Sequence, residues 1–216
     1  MAVISNMFPQ AKLASCLFHL GQCFWRRLQS DGLVEEYNWE ENVNLRSTFH
    51  LLIAIAFVPK EDASAFELLR DTILDNLVNL FDYVEHNYVR ERRHGRGRQV
   101  PIFPPSTWNC YVRMLENLPR TTNTCEAWHQ SLNTPIRKFH ASFYHVLETL
   151  QAETAKIHND IEKLEGGQSP LHKKKKDTDL DTRLSRIVER YQEYKADENV
   201  LGCLRAIEHG VAGHFG

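Results

Sequence analysis

A chain of 216 residues is long enough to bury one substantial core, because folding at this length hides roughly 70% of the unfolded surface. With 42% hydrophobic and 25% charged residues, the composition is that of a globular protein and excludes a disordered or membrane-embedded chain. The net charge of −2 does not by itself indicate binding to nucleic acid. The charge is uneven, however: residues 60–89 are rich in acids and residues 90–120 are rich in arginine, an asymmetry typical of a surface that meets an anion.

The cysteines and the N-terminal residues predict an intracellular protein, nuclear or cytoplasmic and not secreted. The cysteines are scattered and show neither a C-x-x-C pair nor zinc-finger spacing: Cys16, Cys23, Cys110, Cys125 and Cys203. The N-terminus lacks the basic start of a signal peptide. The longest apolar run, residues 51–58, is too short to cross a bilayer, so we expect no membrane partner.

The first sixty residues predict one strand and then helices. Residues 12–19 are the only good strand candidate. Residues 22–29 favour a helix that ends at Asp31 and Gly32, and residues 40–57 favour a second helix that stops before Pro59.

From Asp62 onward, apolar residues recur at three- and four-residue steps and predict one amphipathic helix. They are Phe66, Leu69, Ile73, Leu77, Leu80 and Val84. Glycines and prolines then indicate a loop over residues 90–105. Ser106 is expected to cap a helix that carries Trp108, Tyr111, Leu115 and Leu118 on one face.

The C-terminal half predicts further helices around one linker. Thr134 and Pro135 are typical of a helix start, and the apolar spacing continues through a long helix over 135–165. Residues 166–177 have the composition of a linker, and shorter helices are expected near 179–194 and 197–209.

Two short motifs carry most of the functional information. The first is Cys16-Leu-Phe-His19, and the second is Arg120-Thr-Thr-Asn123-Thr-Cys-Glu126-Ala-Trp-His129. In this order and at this separation they resemble the second half of the catalytic domain of Mutator-like (MULE) DNA transposases. In that family a C-x-x-H element follows a core strand, and an Asn-x-x-Glu element supplies the last acid of a metal-binding Asp-Asp-Glu set.

The resemblance implies a mainly α chain that is the C-terminal remnant of an RNase H-like transposase core. Residues 1–165 would be a partial transposase domain, with a core strand near 12–19, a helical insertion over about 31–120, a glutamate helix over about 122–133 and the long helix 135–165. Residues 166–177 would be a linker and residues 178–216 a helical tail. The first two acids of the family lie before the C-x-x-H element, and residues 1–15 contain no Asp or Glu. We therefore expect a truncated chain without activity of its own, whose partners are a missing N-terminal half or a second copy.

The resemblance identifies Glu126 as the ancestral catalytic acid and metal ligand. The intact family enzyme would use Mg²⁺ or Mn²⁺, since hard cations need carboxylate oxygens, and no cofactor is expected in this fragment. The sequence also fits a capping box, in which Asn123 caps a helix and Glu126 reaches back to its backbone N–H. Both interpretations remain open at this stage.

Cys16 and His19 are chemically suited to bind zinc, and His129 shares a helix face with Glu126. Two ligands are fewer than the four of a structural site. In a strand, residues three apart point to opposite faces, so Cys16 and His19 converge only if the strand ends between them. The alternative is a buried cysteine and a hydrogen-bonded histidine.

The arginine loop, defined as Arg90, Arg92, Arg93, Arg96 and Arg98, is the candidate nucleic-acid contact. Arginine pairs with phosphate bidentately, and Gly95 and Gly97 let a backbone approach closely, so such a loop can hold DNA without reading its sequence. The alternative is a solvated loop. Lys173 to Lys176 predict either an import or phosphate-contact patch or a soluble linker. Trp108 and Trp128 are expected in the core, with base stacking as an alternative for Trp128.

Three function hypotheses follow from the sequence. The first is an inactive transposase remnant. The second is a non-catalytic nucleic-acid-binding module derived from a transposase. The third is an all-helical protein-interaction scaffold that uses the long helix 135–165.

Overall fold

The protein is mainly helical, as the apolar spacing predicts. The computed structural model describes residues 2–62, 64–89, 91–92, 98–99, 101–136, 141–169 and 175–214. The α-helices of this part of the chain are α1 (Ala2–Met7), α2 (Leu17–Ser30), α3 (Val34–Asn38), α4 (Val43–Ala54), α5 (Ser64–Arg70), α6 (Val78–Val84), α7 (Pro105–Trp108), α8 (Tyr111–Leu115), α9 (Asn123–Ile136), α10 (Phe143–Glu165), α11 (Lys175–Glu189), α12 (Tyr191–Ala196) and α13 (Val200–Val211).

The described residues form two compact units. The first comprises residues 1–121 and 179–216, and the second comprises residues 122–178. The C-terminal helices from residue 179 onward belong to the same unit as the first 121 residues. The reason is apolar burial, since α13 packs along α4 and contributes Cys203, Leu204 and Ile207 to the core.

The strand predicted within residues 12–19 is wrong. Residues 11–16 are irregular, and α2 begins at Leu17. The backbone N–H of Ser15 bonds the carbonyl of Thr107 (2.6 Å), and that of Leu17 bonds the carbonyl of Arg120 (2.9 Å). These single hydrogen bonds to two different segments cannot form the continuous ladder that a strand needs.

The predicted end of the following helix and the apolar patch are confirmed. Helix α2 closes at Asp31, and Gly32 has a φ of +78°, the left-handed conformation that glycine adopts without a steric penalty. Helix α4 continues as a 3₁₀ turn over Ile55–Phe57 and ends before Pro59. Every residue from 51 to 58 is buried.

The single helix predicted from Asp62 to Val84 is wrong, although its apolar stripe is buried. The chain forms α5, a 3₁₀ turn at Asp75–Leu77, then α6 and a π-helical turn at Glu85–Val89. The break lies at Thr72, whose hydroxyl donates to the carbonyl of Leu69 (3.0 Å), a local bond that competes with helix. Buried side chains of the stripe are Phe66, Leu69, Leu77, Leu80 and Val84, and Ile73 is partly buried.

The helix predicted from Ser106 to Leu118 is also divided. Pro105 begins α7, and the chain becomes extended at Asn109 before α8. The Asn109 side chain explains the break, because it donates to the carbonyl of Val58 (2.7 Å) and accepts from the N–H of Tyr111 (2.9 Å). Trp108 is buried as expected, whereas Leu115 and Leu118 are exposed.

The second unit contains α9 and α10, which pack against each other. The helix start predicted at Thr134 and Pro135 is wrong: Pro135 lies in the last turn of α9, which ends one residue later. Helix α10 instead begins at Phe143, where the Ser142 side chain accepts a hydrogen bond from the N–H of His145 (3.2 Å). Serine is a strong N-cap, and this local bond sets the start of the helix.

The predicted linker over 166–177 ends earlier than expected. Gly166 and Gly167 terminate α10, and α11 begins at Lys175. Residues 170–174, with Lys173 and Lys174, lie outside the described residues.

Candidate functional site

The first motif sits where the chain changes from extended to helical. Cys16 is the residue before α2, with φ −75° and ψ 129°, and His19 lies in the first turn. Cys16 is buried and His19 is exposed. The Cys16 sulfur and a ring nitrogen of His19 lie within 4.8 Å of each other. The convergence that a continuous strand would prevent therefore occurs, because α2 begins between the two residues, at Leu17.

A buried thiol lies beside this motif. Burial raises the pKa of Cys110 to about 11, although the positive charges of Arg113 and Arg120 oppose the shift. The Arg113 guanidinium is 3.0 Å from the Cys110 sulfur. At neutral pH this group is a thiol, and metal binding or nucleophilic attack requires a thiolate.

Arg113 donates hydrogen bonds to the backbone directly before both motifs. Its guanidinium donates to the carbonyl of Ser15 (3.0 Å) and to that of Pro119 (3.4 Å), which directly precede Cys16 and Arg120. The sequence analysis did not identify a role for Arg113, because no sequence pattern around an arginine on a short helix indicates one. An arginine whose partners are backbone carbonyls is recognisable only from the fold.

Arg120, the first residue of the second motif, is a structural residue of the first unit. It pairs with Asp181 of α11, and its guanidinium lies 6.0 Å from the centre of the Phe57 ring. Only 12% of its side chain is exposed, which leaves little of the guanidinium for an external phosphate.

Glu126 lies at the start of α9 in the second unit. Asn123 is the first residue of α9, so Thr122 precedes the helix. The Thr122 hydroxyl donates to the Glu126 carboxylate (2.8 Å), and the N–H of Glu126 donates to the carbonyl of Thr122 (2.9 Å). The predicted capping box is wrong in its cap residue, because Asn123 is the first residue of the helix, and the Thr122–Glu126 hydrogen bond joins two side chains instead of a side chain and a backbone N–H. The Glu126 side chain remains exposed.

His129 follows one turn later on the same exposed helix. Its ring lies 5.2 Å from that of Trp128, at an interplanar angle of 50°. The prediction that Trp128 is a core residue is wrong: 38% of its surface is exposed, and no residue of α9 is buried.

Part of the arginine loop forms a hairpin. Strands β1 (Glu91–Arg92) and β2 (Arg98–Gln99) are antiparallel, and their register pairs Glu91 with Gln99 and Arg92 with Arg98. Arg90, Arg93 and Arg96 lie outside the described residues.

A buried polar cluster in the first unit was not predicted. The Tyr37 hydroxyl lies 3.2 Å from Nε2 of His50, and Nδ1 of His50 lies 3.8 Å from the Glu208 carboxylate. Burial, aided by the charge of Arg46, lowers the pKa of His50 to about 4, and burial raises the pKa of Glu208. The only sequence signal was a histidine inside an apolar run, which more often marks packing than chemistry.

None of the comparisons with protein-family models, curated proteins and solved structures gives a match to this chain. Among the described helices, none combines the length and apolar character needed to cross a membrane.

Proposed function

We propose that this chain derives from a Mutator-like DNA transposase with an RNase H-like core and does not cut or join DNA by itself. The observation that supports the proposal best is the placement of the two motifs. Cys16 directly precedes α2, Asn123 opens α9, and the chain between them is largely helical. That order matches the C-x-x-H element, helical insertion and glutamate helix of the family.

The surroundings of Glu126 support the inactive character. In-line attack at phosphorus by this class of enzyme uses two metal ions about 4 Å apart, held by several carboxylates. A single carboxylate holds Mg²⁺ weakly, because the ion keeps most of its waters without a fuller ligand set. Glu126 accepts a hydrogen bond from Thr122, a role that stabilises the start of a helix.

A nicking assay tests this proposal. Supercoiled plasmid is incubated with the full chain and Mg²⁺ or Mn²⁺, and the wild type is compared with Glu126→Gln and with Glu162→Gln. Glu162 is an exposed acid of α10 and serves as the matched control. We expect no nicking by any of the three proteins. Nicking by the wild type and the control that disappears in Glu126→Gln would overturn the proposal.

A second function, non-specific binding of a nucleic-acid backbone, is favoured by the hairpin register. Arg92 and Arg98 occupy one register pair, with Arg93 and Arg96 between them in the sequence. Four arginines within seven residues offer a dense set of phosphate donors. Such groups fix a backbone without reading bases, so affinity should be similar for unrelated duplexes.

The salt dependence of DNA binding tests this second function. Replacing Arg92, Arg93, Arg96 and Arg98 with alanine should lower the slope of log affinity against log salt by about 0.9 for each phosphate that the protein no longer neutralises. The matched control replaces four exposed arginines elsewhere, Arg26, Arg183, Arg186 and Arg205, and changes the net charge equally. An equal decrease of slope in both variants would show that general charge, and not the arginine loop, binds DNA.

A further inference from the structure

Phe103 presents an aromatic ring at the base of the hairpin that carries part of the arginine loop. Its N–H donates to the carbonyl of Asn87 (2.8 Å). Asn87 lies four residues before Glu91, Phe103 lies four residues after Gln99, and Glu91 pairs with Gln99 in the hairpin. The hydrogen bond between Asn87 and Phe103 therefore joins the two arms of the chain in the same register as the strands. It fixes Phe103 at the point where the hairpin begins and ends.

The ring of Phe103 is held in place and is also accessible. It stacks on the ring of Tyr88, with 5.1 Å between centroids and 25° between planes. Tyr88 is buried, and its ring meets that of Phe24 edge-on at 5.2 Å. The indole N–H of Trp108 donates to the Phe103 carbonyl (2.9 Å). Even so, Phe103 is 45% exposed, and its neighbour Ile102 is 65% exposed. A ring fixed in this way loses little conformational entropy when a ligand stacks on it.

The position of the ring relative to the arginines defines the ligand. Arg98 is five residues from Phe103, so their Cα atoms are at most about 18 Å apart. A ligand that engages both residues carries negative charge and a flat apolar group within that distance. Nucleic acid with unpaired bases meets both conditions, since its phosphates pair with arginine and each base has a face for stacking. In a duplex the bases stack on each other, and their faces are not available to a side chain.

From these observations we propose that Phe103 stacks on an unpaired nucleobase of a strand whose phosphates are bound by the arginine loop. The inference rests on the second function proposed above, the binding of a nucleic-acid backbone, and adds the single-stranded form of the ligand. Proteins that bind single strands without reading their sequence combine a positively charged path with aromatic side chains. The strand is DNA or RNA, because both offer phosphates and base faces.

Fluorescence anisotropy of labelled single strands mixed with the full chain tests the stacking. The probes are a thymidine DNA strand and a uridine RNA strand of about 15 nucleotides, and an abasic strand with the same number of phosphates. Phe103→Leu keeps apolar bulk against Tyr88 and removes the stacking face. It should weaken binding of the base-containing strands by about 5-fold or more and leave that of the abasic strand unchanged.

The pattern of losses among the three probes decides the outcome. A loss on only one base-containing strand supports the proposal and identifies the ligand as DNA or as RNA. An equal loss on all three probes would overturn the proposal, because Phe103 would then act on the backbone contact or on the fold.

Two further variants separate stacking from a structural effect. Phe103→Tyr keeps the aromatic face and should retain the wild-type affinity for the base-containing strands. The matched control Phe143→Leu makes the same change at a phenylalanine of α10 that is 75% exposed, and it should also retain that affinity. A loss in Phe103→Tyr or in Phe143→Leu equal to that in Phe103→Leu would overturn the proposal.

The stacking and the backbone binding fail in different ways. If no probe binds in a salt-dependent manner, both are overturned. If all three probes bind and Phe103→Leu binds each of them as the wild type does, only the stacking is overturned. A wild type that binds poly-glutamate as tightly as the thymidine strand would also overturn the stacking, since charge alone would then account for the affinity.

Discussion

Nδ1 of His50 lies 3.8 Å from Oε1 of Glu208, and both side chains are buried where α4 packs along α13. The Tyr37 hydroxyl approaches the other ring nitrogen at 3.2 Å. If the Tyr37 hydroxyl donates its proton to Nε2, the neutral His50 ring carries its own proton on Nδ1. That proton then faces the Glu208 carboxylate. The cluster links three helices through polar groups in an otherwise apolar core.

The first prediction is that the protein loses stability on acidification because of His50. Burial and Arg46 lower the pKa of His50 from 6.5 to about 4, so the unfolded chain binds a proton that the folded chain rejects. The stability that depends on a neutral His50 ring is fully present above pH 6.5 and is lost as the pH falls towards 4. A shift of this size corresponds to roughly 3 kcal/mol when the loss is complete. Urea unfolding at a series of pH values measures it.

The variant His50→Gln should flatten this pH dependence, whatever its effect on absolute stability. The control is His158→Gln, which changes an exposed histidine of α10 and should retain the wild-type slope. Equal slopes for wild type and His50→Gln would show that His50 does not titrate in this way.

The second prediction concerns Glu208, whose response to pH is opposite. Burial raises the pKa of its carboxyl, so the folded state resists the ionisation that the unfolded chain undergoes freely. The destabilisation of the folded state by Glu208 therefore grows as the pH rises above about 4.5, the ordinary pKa of a glutamate carboxyl. Glu208→Gln should stabilise the protein relative to wild type at pH 8 more than at pH 4. A variant whose advantage is largest at pH 4 would contradict the assignment.

Local sequence signals predict where helices stop better than where they start. Gly32 and Pro59 end elements as expected, since their effect depends on a single residue's backbone. The break at Thr72 and the divided helix at Asn109 depend on side-chain hydrogen bonds to the backbone, and that of Asn109 to Val58 is long-range. A periodic apolar stripe shows which side chains are buried, but it does not show that the helix is continuous.

The geometry around the two motifs was not predictable from the sequence. The spacing of Cys16 and His19 leaves open whether they converge, because that depends on where the helix begins. The capping alternative for Glu126 placed Asn123 before the helix, whereas Asn123 is its first residue and Glu126 bonds the Thr122 hydroxyl. The Tyr37, His50 and Glu208 cluster joins residues far apart in the chain, so no local pattern reveals it.

A third prediction is that Asp62 holds helix α12 against the first part of the chain. Its carboxylate lies 2.6 Å from the Tyr191 hydroxyl and 2.6 Å from Nζ of Lys195, and only 7% of its side chain is exposed. Asp62→Ala leaves the Tyr191 hydroxyl without its acceptor and should cost about 1–3 kcal/mol in the free energy of unfolding. The control Asp71→Ala, at an exposed position, should change it by less than about 0.5 kcal/mol. Similar losses in both variants would contradict the anchoring role.

The fourth prediction isolates a backbone effect at Gly32. A methyl group added there meets nothing within 4 Å, so any cost comes from the φ of +78°. Gly32→Ala should lower the free energy of unfolding by about 1 kcal/mol. Gly32→Asn should lower it less, because asparagine tolerates this conformation. Chemical denaturation measures both, and a neutral Gly32→Ala would show that the turn relaxes.

The last prediction is that the first unit folds without the second. Arg120 lies just before residues 122–178 in the sequence and Asp181 lies just after them. The two residues pair with each other within the first unit. A chain in which a short Gly-Ser linker replaces residues 122–178 should therefore unfold cooperatively, with near-ultraviolet circular dichroism typical of a packed core.

The opposite deletion, a chain that ends at residue 178, should lose cooperative unfolding. It removes buried core residues of α11, α12 and α13, among them Leu184, Tyr191 and Leu204. Truncating one such side chain costs about 2–5 kcal/mol, and a whole domain has only about 5–15 kcal/mol of stability. Cooperative unfolding of the chain ending at residue 178, or its absence in the linker variant, would contradict this division of the core.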